Sequence, residues 1–229
     1  MRLPPLVASR FVERVNRFRV TISIEGTKVD AHLPNSGRLT ELLTPGRACW
    51  VAPASGRRRK TAYDLRLVAY DSVLVSIDAR LPNPLVAEAL EGRRLEPFQA
   101  SQQFEREVGL GGSRVDFRLQ MPEGPLWLEA KSVTLVENGT ARFPDAPTAR
   151  GLRHVQELTE AASSGERAVV VFVVQRPDGG RFAPHDEADP AFGQALRRAA
   201  EAGVGVYAWT CRVTTDRVSI AYRIPVDLS

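Results

Sequence analysis

The sequence predicts an α/β protein (α+β) in two parts, a small N-terminal β-barrel followed by a mixed sheet flanked by helices. Three observations predict it. About five β-rich segments crowd into the first 80 residues, the apolar spacing turns helical near residue 83, and the rest reads helix, three strands, helix, strand. At 229 residues and 43% apolar content the chain can bury a sizeable core, as one large domain or two small ones.

In the first part "FRVTISI" (18–24), "KVDAHL" (28–33), "RACWVA" (47–52), "YDLRLVAY" (63–70) and "VLVSID" (73–78) are rich in β-branched and aromatic residues. Gly26, Pro45-Gly46 and Gly56 punctuate them. A short helix expected at "GRLTELL" (37–43), between the second and third of these segments, makes an OB-like barrel the leading choice, with an SH3-like barrel behind it. Phe18 and Trp50 read as barrel core, because no aromatic alternates with exposed basic residues as single-strand binders prefer.

"NPLVAEALEGRRL" (83–95) places Leu85, Val86, Ala89 and Leu90 on one helical face, which puts a domain boundary between residues 82 and 83. The barrel would then occupy 1–82 and the second domain 83–229. Strands at 104–110, 114–120 and 126–136 follow as a meander through "GGS" and "PEGP" turns. A loop, "ENGTARFPDAPT", leads to a helix at 149–164 with Leu152, Val155, Leu158 and Ala162 as its core stripe. The apolar strand "AVVVFVV" (168–174), a helix at 190–202 and a strand at 204–211 complete a mixed sheet.

Composition excludes several classes. No apolar run approaches the roughly 18 residues needed to span a membrane, so no membrane partner is expected. The N-terminus shows no apolar stretch of the kind that precedes a signal-cleavage site, which predicts a cytoplasmic protein. Cys49 and Cys211 belong to no CxxC pair and read as inert core residues. Charge is uneven: residues 1–100 hold 16 Arg and Lys against 10 Asp and Glu, and the remainder 15 against 17. A basic N-terminal half is a hint, weak by itself, of a polyanionic partner.

Chemistry concentrates in two neighbouring strands. Alternation in "RVDFRL" turns Val115, Phe117 and Leu119 one way and Asp116 the other, and "LWLEAKSV" sets Glu129 and Lys131 on one face. If these strands pair, the three side chains converge. Two carboxylates meet what a magnesium ion usually takes from a protein, and an adjacent ammonium can neutralise phosphate. Only three of the 31 basic residues are lysine, so a lysine at 131 favours a specific need for an ammonium. A tight turn through "GLGG" would bring Glu107 opposite Asp116 as a third acid, two like charges that need a cation between them. The competing reading is an ordinary Glu-x-Lys ion pair on a solvated strand.

An Asp followed by Glu-x-Lys on the next strand of such a core resembles the PD-(D/E)XK nuclease superfamily. Longer stretches, "HLPNSGRL" (32–39), "SRVDFRL" (113–119) and "EAKSVTLVENGTARFPDAPTARGLRHVQEL" (129–158), resemble the sugar fermentation stimulation protein A family over essentially the whole chain. That resemblance implies DNA binding, an OB-like N-terminal domain and a PD-(D/E)XK nuclease-like C-terminal domain. It maps Asp116 and Glu129 onto metal carboxylates and Lys131 onto the catalytic lysine, although Val115 stands where the motif has Pro. It implies Mg2+ or Mn2+ held by Asp116, Glu129 and the backbone carbonyl of Ala130, and phosphodiester hydrolysis as the activity. The alternative it carries is a non-cleaving DNA-binding transcriptional regulator of sugar (maltose) metabolism. Action on RNA or a small phosphorylated metabolite is a third possibility.

Candidate phosphate contacts are the run Arg57, Arg58, Arg59 and Lys60, and Asn35, Ser36 and Arg38 at the start of the short helix. Arg150 and His154 recur with Glu157 on the helix face away from the apolar stripe and join them. A solvated loop, plain helix capping and a solvated helix face explain the same residues without a ligand. Double-stranded DNA is the expected partner, and the oligomeric state is open, a dimer included.

Overall fold

A computed structural model describes residues 1–54 and 59–229. The N-terminal part is built from β1 (Val7–Asn16), β2 (Arg19–Ile24), β3 (Thr27–His32), β4 (Ala48–Pro53), β5 (Tyr63–Tyr70) and β6 (Val73–Ser76). Their order is β3-β2-β1-β4-β5-β6, and parallel pairing of Ala31 with Tyr63 and His32 with Asp64 joins β3 to β5 and closes a five-stranded OB barrel. Inward residues alternate along each strand, so Val20 and Ile22 of β2 and Leu65 of β5 are all fully buried.

Strand β1 escaped the sequence reading for a physical reason. Only Ser9 and Phe11 of "VASRFVERVN" face inward as buried residues, so its apolar signal is a single side chain. The expected helix at 37–43 is instead a single turn at 40–42. Leu39 adopts a left-handed backbone (φ 53°), which breaks any helix there, and its N–H donates to Asp145 Oδ2 at 3.1 Å. Phe18 is not barrel core: it stands at the β1–β2 turn, 47% exposed. Trp50 is half-buried.

The second part runs α1 (Pro82–Glu91), β7 (Gln103–Leu110), β8 (Ser113–Met121), β9 (Gly124–Val133), β10 (Leu135–Glu137), β11 (Thr140–Phe143), α2 (Ala149–Ser163), β12 (Arg167–Val174), β13 (Arg181–Pro184), α3 (Pro190–Glu201), β14 (Gly205–Val213) and β15 (Val218–Ile224). The main sheet has the order β15-β14-β12-β9-β8-β7, parallel across β9-β12-β14 and antiparallel elsewhere. The segment expected as one strand over 126–136 breaks at Thr134, and β10 pairs into a small β10-β11-β13 sheet. Strand β15 was not expected because its partly exposed "VSIAYRI" includes Tyr222 at 76% exposure.

Helix α1 packs Leu85, Val86 and Leu90 against Phe117, Leu128 and Val171 on one face of the sheet. On the other, Val155 and Leu158 of α2 and Leu196 of α3 meet Val170 and Phe172. Burying each such side chain contributes about 1.5–3 kcal/mol. Thr148 caps α2 by accepting from Gly151 N, and Asp189 caps α3 by accepting from Phe192 N. No helix among the described residues is long and apolar enough to cross a membrane. Both cysteines are buried, and burial pushes the Cys49 thiol up to about 11 and Cys211 up to about 12.

The two parts are bolted together through Gln175, which is fully buried at the end of β12. Its side-chain amide donates to Asp78 O (3.1 Å) and Ser132 Oγ (2.9 Å), and its Oε1 accepts from Ser76 Oγ (2.9 Å). Ser132 adjoins Lys131, so the barrel is tied directly to the strand carrying the candidate site.

Candidate active site

The site forms where β8 and β9 part. Their ladder runs from Met121↔Gly124 to Phe117↔Leu128 and then stops. One residue further on, carboxylates replace backbone partners: Ala130 N donates to Asp116 Oδ2 at 2.8 Å, and Asp116 N donates to Glu129 Oε2 at 3.3 Å. On the other side, the β7–β8 register passes from Arg106↔Phe117 to Val108↔Val115, with Glu107 left-handed (φ 54°) between. Strict alternation fails here, because Phe117 joins the α1 core while Val115 joins the α2–α3 core. The irregularity turns Asp116 into the gap.

Asp116, Glu129 and Lys131 are thereby brought together. Lys131 Nζ donates to Glu129 Oε1 at 2.5 Å, and the two residues are 8% and 3% exposed. Asn83 of α1, which the sequence reading missed, donates its Nδ2 to Asp116 Oδ1 at 2.5 Å. Its one sequence signal was a polar residue in the first turn of the helix that opens the second domain. Burial, and then the nearby Glu129 charge, push the Asp116 carboxyl up to about 6. Burial also works to raise Glu129, but Lys131 and His154 outweigh it and hold that carboxyl below its ordinary value.

His154 is 3% exposed, too buried for the surface phosphate contact expected of it. Its Nδ1 meets Glu129 Oε1, while Arg150 Nε donates to its Nε2 at 3.4 Å. Lys131 Nζ stands 3.5 Å from the same Nδ1, so the ring is held among Glu129, Lys131 and Arg150. Arg150 itself is exposed. Glu157 is buried and accepts from Ser113 Oγ, tying α2 to the β7–β8 turn.

Glu107 is exposed and is not among the hydrogen-bond partners of Asp116. Among the described residues no group of three or more His, Cys, Asp or Glu side chains is arranged to hold a metal. What the gap offers is two carboxylates and a carbonyl. A strand residue's N–H and C=O leave on the same side, so the Ala130 carbonyl opens toward Asp116 as its N–H does. An all-oxygen set of this kind fits a hard divalent cation with water and substrate completing its shell.

Of the remaining candidates, Asn35, Ser36 and Arg150 line a cavity of about 460 Å³ between the two parts. Arg17 and residues 35–37 line it from the barrel, and residues 130–135 and 142–150 from the second domain. Ala130 and Lys131 reach its wall; Asp116 and Glu129 stand behind them. Asn35 is 8% exposed and spends its side chain on Ile77 O (2.9 Å) and Gly37 N (2.8 Å). With Leu39 N held by Asp145, this leaves little free N–H at the turn for a phosphate. Ser36 and Arg38 are exposed. Arg59 is paired with Asp64, Lys60 is exposed, and Arg57 and Arg58 lie outside the described residues.

Comparison with known proteins places the chain. The family model described as the SfsA N-terminal OB domain matches residues 12–77, and the sugar fermentation stimulation protein RE domain matches 80–217. A sugar fermentation stimulation protein homolog from Moorella thermoacetica is 47% identical over 225 residues, covering 97% of each chain. One from Desulforamulus reducens is 43% identical over 226 residues, 99% of this chain and 94% of the relative. The structure of Pyrococcus furiosus SfsA in complex with Ca2+ superposes with a TM-score of 0.91 at 31% identity, covering 99% and 98% of the two chains. With both parts matched in sequence and the whole fold shared, the chain belongs to the sugar fermentation stimulation protein family.

Proposed function

We propose that the chain binds DNA in the interdomain cavity and hydrolyses a phosphodiester bond with the help of Mg2+ or Mn2+. The observation that carries this reading is the opened β8–β9 ladder, where Asp116, Glu129 and the Ala130 carbonyl share one gap beside Lys131. The P. furiosus relative was solved with Ca2+, a hard cation of the same oxygen preference, which supports a divalent site here. A cation bound to these oxygens supplies Lewis acidity at the phosphoryl group and acidifies bound water. Lys131 places positive charge where negative charge grows on the phosphate. His154 and Lys131 fix the Glu129 carboxylate, and Asn83 and Ala130 N–H fix Asp116. Arg17, Arg142 and Arg150 give the cavity a basic lining for the DNA backbone.

The test incubates the protein with plasmid, linear and branched DNA plus Mg2+ or Mn2+, beside Asp116→Ala and Lys131→Ala. Each variant should lose on the order of 10²-fold or more in rate, as removal of one charge-stabilising group does. Equal nicking by wild type and variants would sink the catalytic reading. A second reading, a DNA-binding regulator that does not cut, is favoured by the way Glu129 is closed in by Lys131 and His154 behind the cavity wall. It expects salt-sensitive DNA binding with no nicking. The duplex partner expected from sequence leaned on Phe18 being core, and its exposure removes that ground.

A further inference from the structure

Among the described residues three large apolar side chains are exposed, and two of them, Val15 (42%) and Phe18 (47%), sit at the single β1–β2 turn. The turn is rigidly held. Arg14 donates to Asn16 O (3.3 Å) and Arg17 O (2.9 Å) within it, and to Gly37 O and Arg38 O (both 2.7 Å) on the cavity side. Phe18 N is satisfied by Asn16 Oδ1 at 3.0 Å, and Phe18 O accepts from Leu33 N at 2.9 Å. The His32 ring donates through Nδ1 to Phe18 O at 3.0 Å and lies beside the Phe18 ring, 6.4 Å away and tilted by 34°. Arg17 bridges two environments, with its guanidinium carbon 5.4 Å from the Phe18 ring centroid and its side chain on the wall of the cavity that holds Lys131.

An exposed aromatic on a braced turn, flanked by Arg17 and Arg19 and continuous with a basic cavity, combines the two elements that hold unpaired nucleic acid, a stacking face and a backbone-tracking charge. A base pair inside a duplex has both faces covered by its neighbours and offers none for such stacking. We propose that Phe18, with Arg17 and His32, is a stacking platform for an unpaired DNA base next to the phosphate held in the cavity. The preferred substrate is then DNA with a single-stranded extension, gap or extruded base, an inference that rests on the DNA reading above.

The test compares a duplex bearing a 3′ single-stranded extension with a blunt duplex of equal phosphate count, in EDTA so that nothing is cut. Wild type should bind the extended probe more tightly. Phe18→Ala should weaken binding of that probe about tenfold or more while leaving blunt-duplex affinity and Tm unchanged. Phe18→Trp should restore it, with tryptophan fluorescence quenched by the extended probe only. If Phe18→Ala has no effect, or weakens both probes equally, the platform is overturned while DNA binding stands. If wild type binds neither probe even at low salt, the DNA reading falls and the platform with it.

Discussion

Asp116 sits where the β8–β9 ladder gives up backbone pairing, and its ionisation is the energetic signature of that choice. Its folded pKa of about 6 exceeds the ordinary 3.8, so the metal-free protein is favoured by the protonated form. That stability is fully present below pH 3.8 and is lost as pH rises through about 6, a difference of at most about 3 kcal/mol. Asp116→Asn should therefore raise the Tm of the metal-free protein above pH 6 and change it little near pH 4. Wild type should gain more Tm from Mg2+ or Ca2+ at pH 8 than at pH 5, and the variant should gain none at either. Thermal unfolding with and without EDTA checks both, and an unchanged Tm for Asp116→Asn at pH 8 would show that the carboxylate carries no strain. Glu129 and Lys131 were legible at this scale because alternation along a strand is set by backbone geometry alone. Asn83 was not, since nothing local distinguishes it from any polar residue early in a helix.

Helix α2 shows how one element divides its labour. Arg150 and His154, four residues apart, share a face, yet Arg150 is exposed and His154 is 3% exposed against Glu129. Periodicity separated that face from the Val155 and Leu158 stripe, and assigned both its basic residues to phosphate at the surface. His154 is instead turned onto Glu129 of β9, because the site itself is polar and buried. The two residues should respond differently. Arg150→Ala should flatten the salt dependence of DNA binding by about one unit of slope with little change in stability. His154→Ala removes one of the two buried side chains that meet Glu129 Oε1, leaving Lys131, and should cost about 1–3 kcal/mol of stability while leaving the salt slope unchanged. Binding isotherms over a salt series and denaturant melts separate the outcomes, and a lower slope for His154→Ala would place its ring on phosphate after all.

Across the whole molecule, two motif stretches from different domains lock each other. Leu39 of "PNSGRL" donates its N–H to Asp145 of "FPDAPT", and a Cβ on Gly37 would stand 2.5 Å from Asp145 Oδ2. A side chain at 37 would push the Asp145 carboxylate away from the Leu39 N–H across the domain boundary. Gly37→Ala should destabilise by about 1–3 kcal/mol, the usual cost of overpacking. Asp145→Ala in the same chain should recover part of that loss, and additive effects of the two changes would show that the contact is not shared.

Local pattern determined much of this protein: the β-rich first part, the helical turn of the spacing near Leu85, the buried run Ala168–Val174 and the pairing of Glu129 with Lys131 on one face. Each follows from backbone period and side-chain polarity, which act over a few residues. Tertiary structure alone decided the rest. Strand β1 is a strand because its neighbours pair with it, residues 37–43 form only a turn because Leu39 is held in a left-handed conformation, and Phe18 stands exposed at the β1–β2 turn. His154 and Asn83 belong to the site for the same reason. Contacts between residues far apart in the chain compete with local preference, and at these positions they win.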